Sequence, residues 1–284
     1  MTTRLGNKVS RWLFGAFKRI RRRMARRTEA GDKTVLLILG CQRSGTTLMQ
    51  NILQRDMRSK VYGEFSKLSN QDRENRIRLN PLDSVRKTIE TDRPGLIVLK
   101  PLVESQNAGK LLEAFDNAKA VWMYRDYRDT AVSSINEFGR NVGLNDLKCI
   151  IDNLDGNWRN EGVGTELRAI VSANYSPTMS PHDAAGLFWF VRNSWFFELN
   201  LETSDRVMLC RYENLVTDPA AAVKRLYDFI GRQFPGEKIL PSIYQDSTGQ
   251  GRHLTFSEDI ERLCSDLLGR LDLAGDKLTT KPEN

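Results

Sequence analysis

Histidine is almost absent from this 284-residue chain, which has only His182 and His253, and its four cysteines, Cys41, Cys149, Cys210 and Cys264, lie far apart with no Cys-x-x-Cys pair. No spacing among them builds a zinc site or a disulfide framework, so the thiols are expected to be reduced, as in a cytoplasmic protein, and no metal is expected. Ser180-Pro-His-Asp183 reads as a helix-start turn rather than a catalytic dyad. There is no internal repeat. The apolar residues near the start, Val9, Trp12, Leu13, Phe14, Ala16, Phe17 and Ile20, are interrupted by Arg11 and Lys18. That run is too short to span a bilayer, and no signal-peptide cleavage pattern follows it.

An even spread of positive charge is also lacking. The formal charge is +7, yet residues 1–33 hold eleven Lys/Arg against two Asp/Glu, a net of +9, which leaves residues 34–284 at −2. A nearly neutral body does not make a general polyanion-binding face, and no nucleic-acid partner is expected. The basic segment over residues 4–27 fits either an amphipathic helix lying on an anionic membrane surface or a solvated, disordered tail or docking arm.

What the chain does have is a strand running into a tight loop and then a helix: Thr34-Val-Leu-Leu-Ile-Leu-Gly40, Cys41-Gln-Arg-Ser-Gly45, then Thr46-Thr-Leu-Met-Gln-Asn-Ile-Leu53. Leu48, Ile52 and Leu53 are expected on one helix face. Such a turn aims backbone N–H groups and a positive helix end at one point, which suits phosphate or a similar anion. Gly40 to Gly45 has the spacing of the nucleotide-binding pattern G-x-x-x-x-G-K-[ST], but Thr46 stands where that pattern needs lysine. The cation appears instead two positions before the second glycine, as Arg43. A second segment, Ala118-Lys-Ala-Val-Trp-Met-Tyr-Arg-Asp-Tyr-Arg-Asp-Thr-Ala-Val-Ser-Ser134, places Arg125 at the carboxyl end of a buried strand. Open α/β sheets bind ligands at that end.

Arg43-Ser-Gly-Thr-Thr-Leu48 resembles the 5′-phosphosulfate loop of sulfotransferases that use 3′-phosphoadenosine 5′-phosphosulfate (PAPS) and release 3′-phosphoadenosine 5′-phosphate (PAP). Arg125, with Ser133 eight residues on, resembles the same family's 3′-phosphate motif. Leu99-Lys100-Pro101 is similar to its lysine-bearing strand end, and Arg211-Tyr-Glu-Asn-Leu-Val-Thr-Asp-Pro219 to its Tyr-Glu-x-Leu-x-x-x-Pro segment. Val61-Tyr-Gly-Glu64 sets an acid at the distance from Arg43 found in the tyrosylprotein-type and bacterial branch. The resemblance spans roughly residues 34 to 230. It implies transfer of a sulfuryl group from PAPS to an acceptor hydroxyl or amine, on a carbohydrate, lipid, small molecule or tyrosine. Arg43, Ser44, Gly45, Thr46 and Thr47 would bind the phosphosulfate, Arg125 and Ser133 the 3′-phosphate, and Tyr212 the nucleoside. Glu64 would be the base, and Arg43 and Lys100 would stabilise charge on the leaving group and sulfonate. Each has a plainer reading: a glycine-rich joint, a solvated Arg-Asp turn, an exposed strand end at Lys100, core packing at Tyr212 and a helix-start acid at Glu64. The alternatives for the whole chain are a P-loop kinase or NTPase and an inactive nucleotide-binding protein at a membrane.

Strand-like runs at 34–40, 59–62, 95–100, 119–124 and 206–211 alternate with helix-like segments near 46–56, 82–91, 105–115, 128–138, 183–200 and 218–231. This rhythm predicts a single doubly wound parallel sheet flanked by helices, an α/β domain over residues 34–275, between the extension at 1–33 and a tail at 276–284. An insertion at about 139–180, polar and rich in glycine and asparagine, is expected either to lid the acceptor site or simply to pack at the periphery. Gln233 to Phe256, with Gly249-Gln-Gly-Arg252, is expected to fold back over the nucleotide. The cellular expectation is cytoplasmic, with a peripheral position on the inner face of a membrane if the basic segment binds lipid.

Overall fold

The computed structural model describes residues 33–70, 77–241 and 247–279, so the basic segment expected to meet a membrane, and the end of the C-terminal tail, lie outside the described residues. Five parallel strands, β1 (Thr34–Gly40), β2 (Ser59–Tyr62), β3 (Leu96–Leu99), β4 (Ala118–Tyr124) and β5 (Val207–Arg211), form one sheet in the order β2-β3-β1-β4-β5. All five strands coincide with sequence-expected runs to within a residue or two; the inner strands β1, β3 and β4 are covered on both faces and are apolar almost throughout, whereas the edge strand β2, Ser-Lys-Val-Tyr, is only half so.

The central strand shows this directly. Val35, Leu37 and Leu39 join the core on one face of the sheet, and Leu36 and Ile38 join the core on the other. The second face is covered by α1 (Thr46–Arg55), through Met49, Ile52 and Leu53. Leu48 turns partly outward and Met49 takes the central place on the buried stripe. Burial of each such side chain contributes roughly 1.5–3 kcal/mol. The same face takes α9 (Pro219–Phe229) through Val223 and Leu226.

Against the first face lie α2 (Leu82–Glu90), α3 (Ala108–Ala114), α4 (Tyr127–Phe138), α5 (Val142–Ile151), α6 (Thr165–Asn174), α7 (Pro181–Glu198) and α10 (Glu258–Thr279). A short 3-10 turn at Leu102–Asn107 precedes α3, and a short helix α8 (Tyr212–Thr217) follows β5. Helix α7 is buried over most of its length, with Trp189, Trp195 and Phe196 almost wholly enclosed. Ser180 caps it by accepting from the Asp183 amide at 3.0 Å, with Pro181 in its first turn. That is the helix-start turn read from Ser-Pro-His-Asp.

The register brings the motifs together. Gly40 lies opposite Met123, Leu37 opposite Leu99, Tyr62 opposite Leu99 and Tyr124 opposite Arg211. Each motif begins within two residues of its strand's carboxyl end, so parallel pairing gathers all of them on one edge of the sheet.

Candidate active site

The loop after β1 departs from ordinary backbone at three points. Gly40 has φ +121°, Arg43 φ +65° and Gly45 φ +85°. A side chain at Gly40 would overlap the Met123 carbonyl, and one at Gly45 would overlap the Tyr212 ring, so both positions demand glycine for space as well as for conformation. Gly45 is the N-cap of α1 and no side chain caps that helix end. Its first N–H groups and its dipole are therefore left for a ligand. The Ser44 hydroxyl is fully buried in this loop, beside the Cys41 thiol, and makes no hydrogen bond of ordinary geometry to the protein. An uncapped helix start beside an orphaned hydroxyl is a donor set suited to a phosphate or sulfate group.

Lys100 connects this loop to the second strand. Its ammonium, on a side chain 5% exposed, donates to Thr47 Oγ1 at 2.9 Å and pairs with Glu64 Oε2 at 2.9 Å. Lys100 is thus an enclosed strand end rather than an exposed one. Glu64 lies in the turn after β2, so the helix-start explanation of this acid does not apply. Glu64, Lys100, Tyr62, Leu68 and Leu99 line a small cleft of about 10 Å³.

Arg125 leaves β4 four per cent exposed, with its guanidinium 4.5 Å from the centre of the Tyr212 ring. It donates to the Arg43 carbonyl at 3.3 Å and to the Ser247 carbonyl, and pairs with Asp129 at 3.5 Å, while its Nε has no partner. Tyr212 in turn shares a 2.5 Å hydrogen bond with the Ser247 hydroxyl. The Ser133 hydroxyl is bonded to Arg43 rather than to Arg125: it accepts from Arg43 Nε at 3.0 Å, and Glu137 pairs with the same guanidinium at 3.3 Å. Arg43 therefore spans from the β1 loop to α4.

Two participants escaped the sequence reading. Asp129 accepts from the Gly249 amide at 2.7 Å and the Gly251 amide at 2.8 Å, tying the late glycine loop down beside Arg125. The glycine pattern signalled a loop there, but nothing in the sequence matched it to Asp129. Ser247 carried no signal. Cys41, in the loop itself, is buried; burial pushes its thiol up to about 12, outweighing the lowering influence of Arg192. It is a neutral thiol, not a nucleophile. His182 sits on the first turn of α7 and His253 in an exposed turn. Among the described residues no group of histidine, cysteine and carboxylate side chains is placed to hold a metal ion.

The sulfotransferase domain family model matches residues 33–251. Among solved structures, the sulfotransferase domain of a Synechococcus olefin synthase is 16% identical, with a TM-score of 0.50 over 86% of this chain and 98% of that one. A sulfotransferase from Alicyclobacillus acidocaldarius is 14% identical, with a TM-score of 0.48 over 88% of this chain and 97% of its own. A mouse sulfotransferase in complex with PAP is 13% identical, with a TM-score of 0.43 over 89% of this chain and 90% of its own. Comparison with curated proteins gives no match. The family model covers most of the chain and ends at the glycine loop that closes on Arg125, and the chain belongs to the sulfotransferase family: it is a PAPS-dependent sulfotransferase that transfers a sulfuryl group to an acceptor.

Proposed function

We propose that the transfer takes place in the opening between the β1 loop and the turn after β2, with Glu64 as the base that takes the proton of the acceptor hydroxyl. The observation that carries this reading is the Lys100 ammonium bridging Thr47 and Glu64, 2.9 Å from each. One cation thereby ties the carboxylate to the phosphate-binding turn. PAPS supplies the sulfuryl group and departs as PAP. Gly45, Thr46 and Thr47, with the orphaned Ser44 hydroxyl, hold its 5′ end. Lys100 and Arg43 offset the negative charge that grows on the leaving oxygen. Arg125 and Ser133 bind the 3′-phosphate: the Ser133 hydroxyl accepts from Arg43 and keeps its own proton to donate. Tyr212 flanks the nucleoside. Positioning and fixed charge do most of the work, as in phosphoryl transfer.

The acceptor is a hydroxyl-bearing molecule, drawn from the carbohydrate, lipid, small-molecule or tyrosine classes. We place the enzyme in the cytoplasm, with the basic residues between 4 and 27 favouring an anionic membrane face.

Glu64→Gln tests the central assignment. The amide keeps the shape and hydrogen-bonding reach of the carboxylate but cannot take a proton, so transfer of labelled sulfate should fall roughly 10²–10⁴-fold. PAP affinity should stay at the wild-type value. Near wild-type turnover under chemistry-limited conditions removes Glu64 from the role.

A further inference from the structure

Beneath the phosphate loop lies a cation that the proposed reaction does not use. Arg192, in the middle of α7, is wholly enclosed, and its guanidinium donates to the Gly40 carbonyl at 3.3 Å, the Leu102 carbonyl at 2.7 Å and Gln106 Oε1 at 3.2 Å. The rings of Trp195 and Trp158 lie 4.6 and 5.2 Å from its centre. Its Nε has no partner, and among the described residues no carboxylate forms an ion pair with it. Asp146, a nearby buried acid, is taken by Arg159. Burial pulls the pKa of Arg192 down to about 10, which leaves it charged at neutral pH.

A buried charge whose direct partners are neutral acceptors and aromatic faces, with Asp146 and Glu104 acting on it without an ion pair, is costly to keep. The place of this charge gives it a use. Gly40 is the hinge between β1 and the loop, and its peptide is gripped from two sides. Its N–H donates to Ser105 Oγ at 3.0 Å, and its carbonyl accepts from both Ser105 Oγ at 3.2 Å and Arg192. The positive φ of Gly40, open to glycine alone at this position, is fixed by these contacts. A charge this deep acts through a medium of low dielectric constant, so an anion seated on the loop feels it more strongly than it would across water.

We propose that Arg192 is the positioning residue of the phosphosulfate loop: its fork fixes the Gly40 carbonyl, and the bound cosubstrate is the anion that offsets its buried charge. The assignment rests on the cosubstrate site described above. It extends that site to a residue that touches no part of the ligand and lies some 150 positions further along the chain.

The test compares wild type, Arg192→Met and Arg192→Lys by calorimetric titration with PAP and by thermal melting without ligand. Arg192→Met removes the charge and the fork while keeping apolar volume. It should weaken PAP binding tenfold or more in the folded protein, and lower the melting temperature as well, because the Leu102 carbonyl and Gln106 Oε1 lose their donor. A purely structural arginine gives the lower melting temperature alone, with unchanged affinity in the folded fraction. Arg192→Lys keeps the cation but cannot reach three acceptors at once, so it should fall between the two. Should Arg192→Met fail to fold, Arg192→Lys decides, and wild-type PAP affinity in it overturns the assignment. Unaltered PAP binding by folded Arg192→Met overturns it as well. If the wild type itself does not bind PAP, the cosubstrate reading falls and takes this assignment with it. Turnover of Glu64→Gln is independent of either outcome.

Discussion

At the residue scale, the candidate site is a set of side chains whose partners stand in for a ligand's atoms. Arg125 is the clearest case, since its fork is spent on two backbone carbonyls and Asp129 while its Nε stays unsatisfied. A phosphate offers better acceptors than carbonyls, because hydrogen bonds between charged groups are roughly twice as strong as neutral ones. Arg125 should therefore discriminate PAP from adenosine 5′-diphosphate, which lacks the 3′-phosphate. PAP at ~100 times its dissociation constant should stabilise the wild type by ~2.7 kcal/mol, and adenosine 5′-diphosphate at the same concentration by much less. Arg125→Ala should erase most of that preference in a thermal-shift titration. Equal stabilisation of the wild type by both nucleotides rejects a 3′-phosphate site at Arg125. These residues were legible in the sequence because each belongs to a local pattern: a glycine-bounded loop, an arginine at a strand end, a lysine before a proline. The three-way contact of Lys100 with Thr47 and Glu64 was not legible, since it depends on β3 lying between β1 and β2.

Elements were readable in proportion to how local their causes are. Four of the five strands declared themselves as short apolar runs bounded by glycine or polar residues, the edge strand Ser59–Tyr62 being half polar, and α7 and α9 begin at Ser-Pro and Asp-Pro. Helices α5 and α6, inside the polar stretch at 139–180, did not. Their buried stripes are thin, Leu147 with Ile150 and Leu167 with Val171, and the glycines and asparagines around them read as loop. Yet the stretch is anchored: Trp158 is buried against Phe188, and Glu161 pairs with Arg78 at 2.7 Å and accepts from Gln106 at 2.8 Å. Helix α10 was overlooked although Ile260, Cys264, Leu267 and Leu271 recur at helical spacing and are all buried. The late glycine loop depends on one long-range contact, the buried Asp129 carboxylate receiving the Gly249 and Gly251 amides. Asp129→Asn puts an NH₂ group against one of those N–H donors and removes the charge facing Arg125. The expected loss is about 1–3 kcal/mol of stability, the scale of a buried group left unsatisfied. Hydrogen exchange should speed up at residues 247–251 and leave β1 and β4 protected. Unchanged exchange in the loop would mean that Asp129 does not hold it.

On the scale of the whole molecule, charge is the property that divides the chain. The body over residues 34–284 is nearly neutral at −2, whereas residues 1–33 carry +9. Among the described residues no helix is long and apolar enough to cross a membrane. The surplus positive charge lies in the basic segment, where each lysine or arginine near an anionic surface contributes roughly 1 kcal/mol. That attraction is electrostatic and reaches about one Debye length, ~10 Å at 0.1 M salt and ~3 Å at 1 M. Deleting residues 1–30 should leave PAP affinity and the melting temperature of the domain unchanged, because the five-stranded sheet begins at Thr34. Co-sedimentation with phosphatidylserine-containing vesicles should drop sharply in the truncated protein. The gap between full-length and truncated protein should close in high salt and be absent on phosphatidylcholine vesicles. Equal binding of both proteins to the anionic vesicles assigns any membrane affinity to the folded domain and removes the basic segment from the proposal. The sulfuryl-transfer chemistry stands apart from that result, since none of the residues assigned to it lies before Arg43.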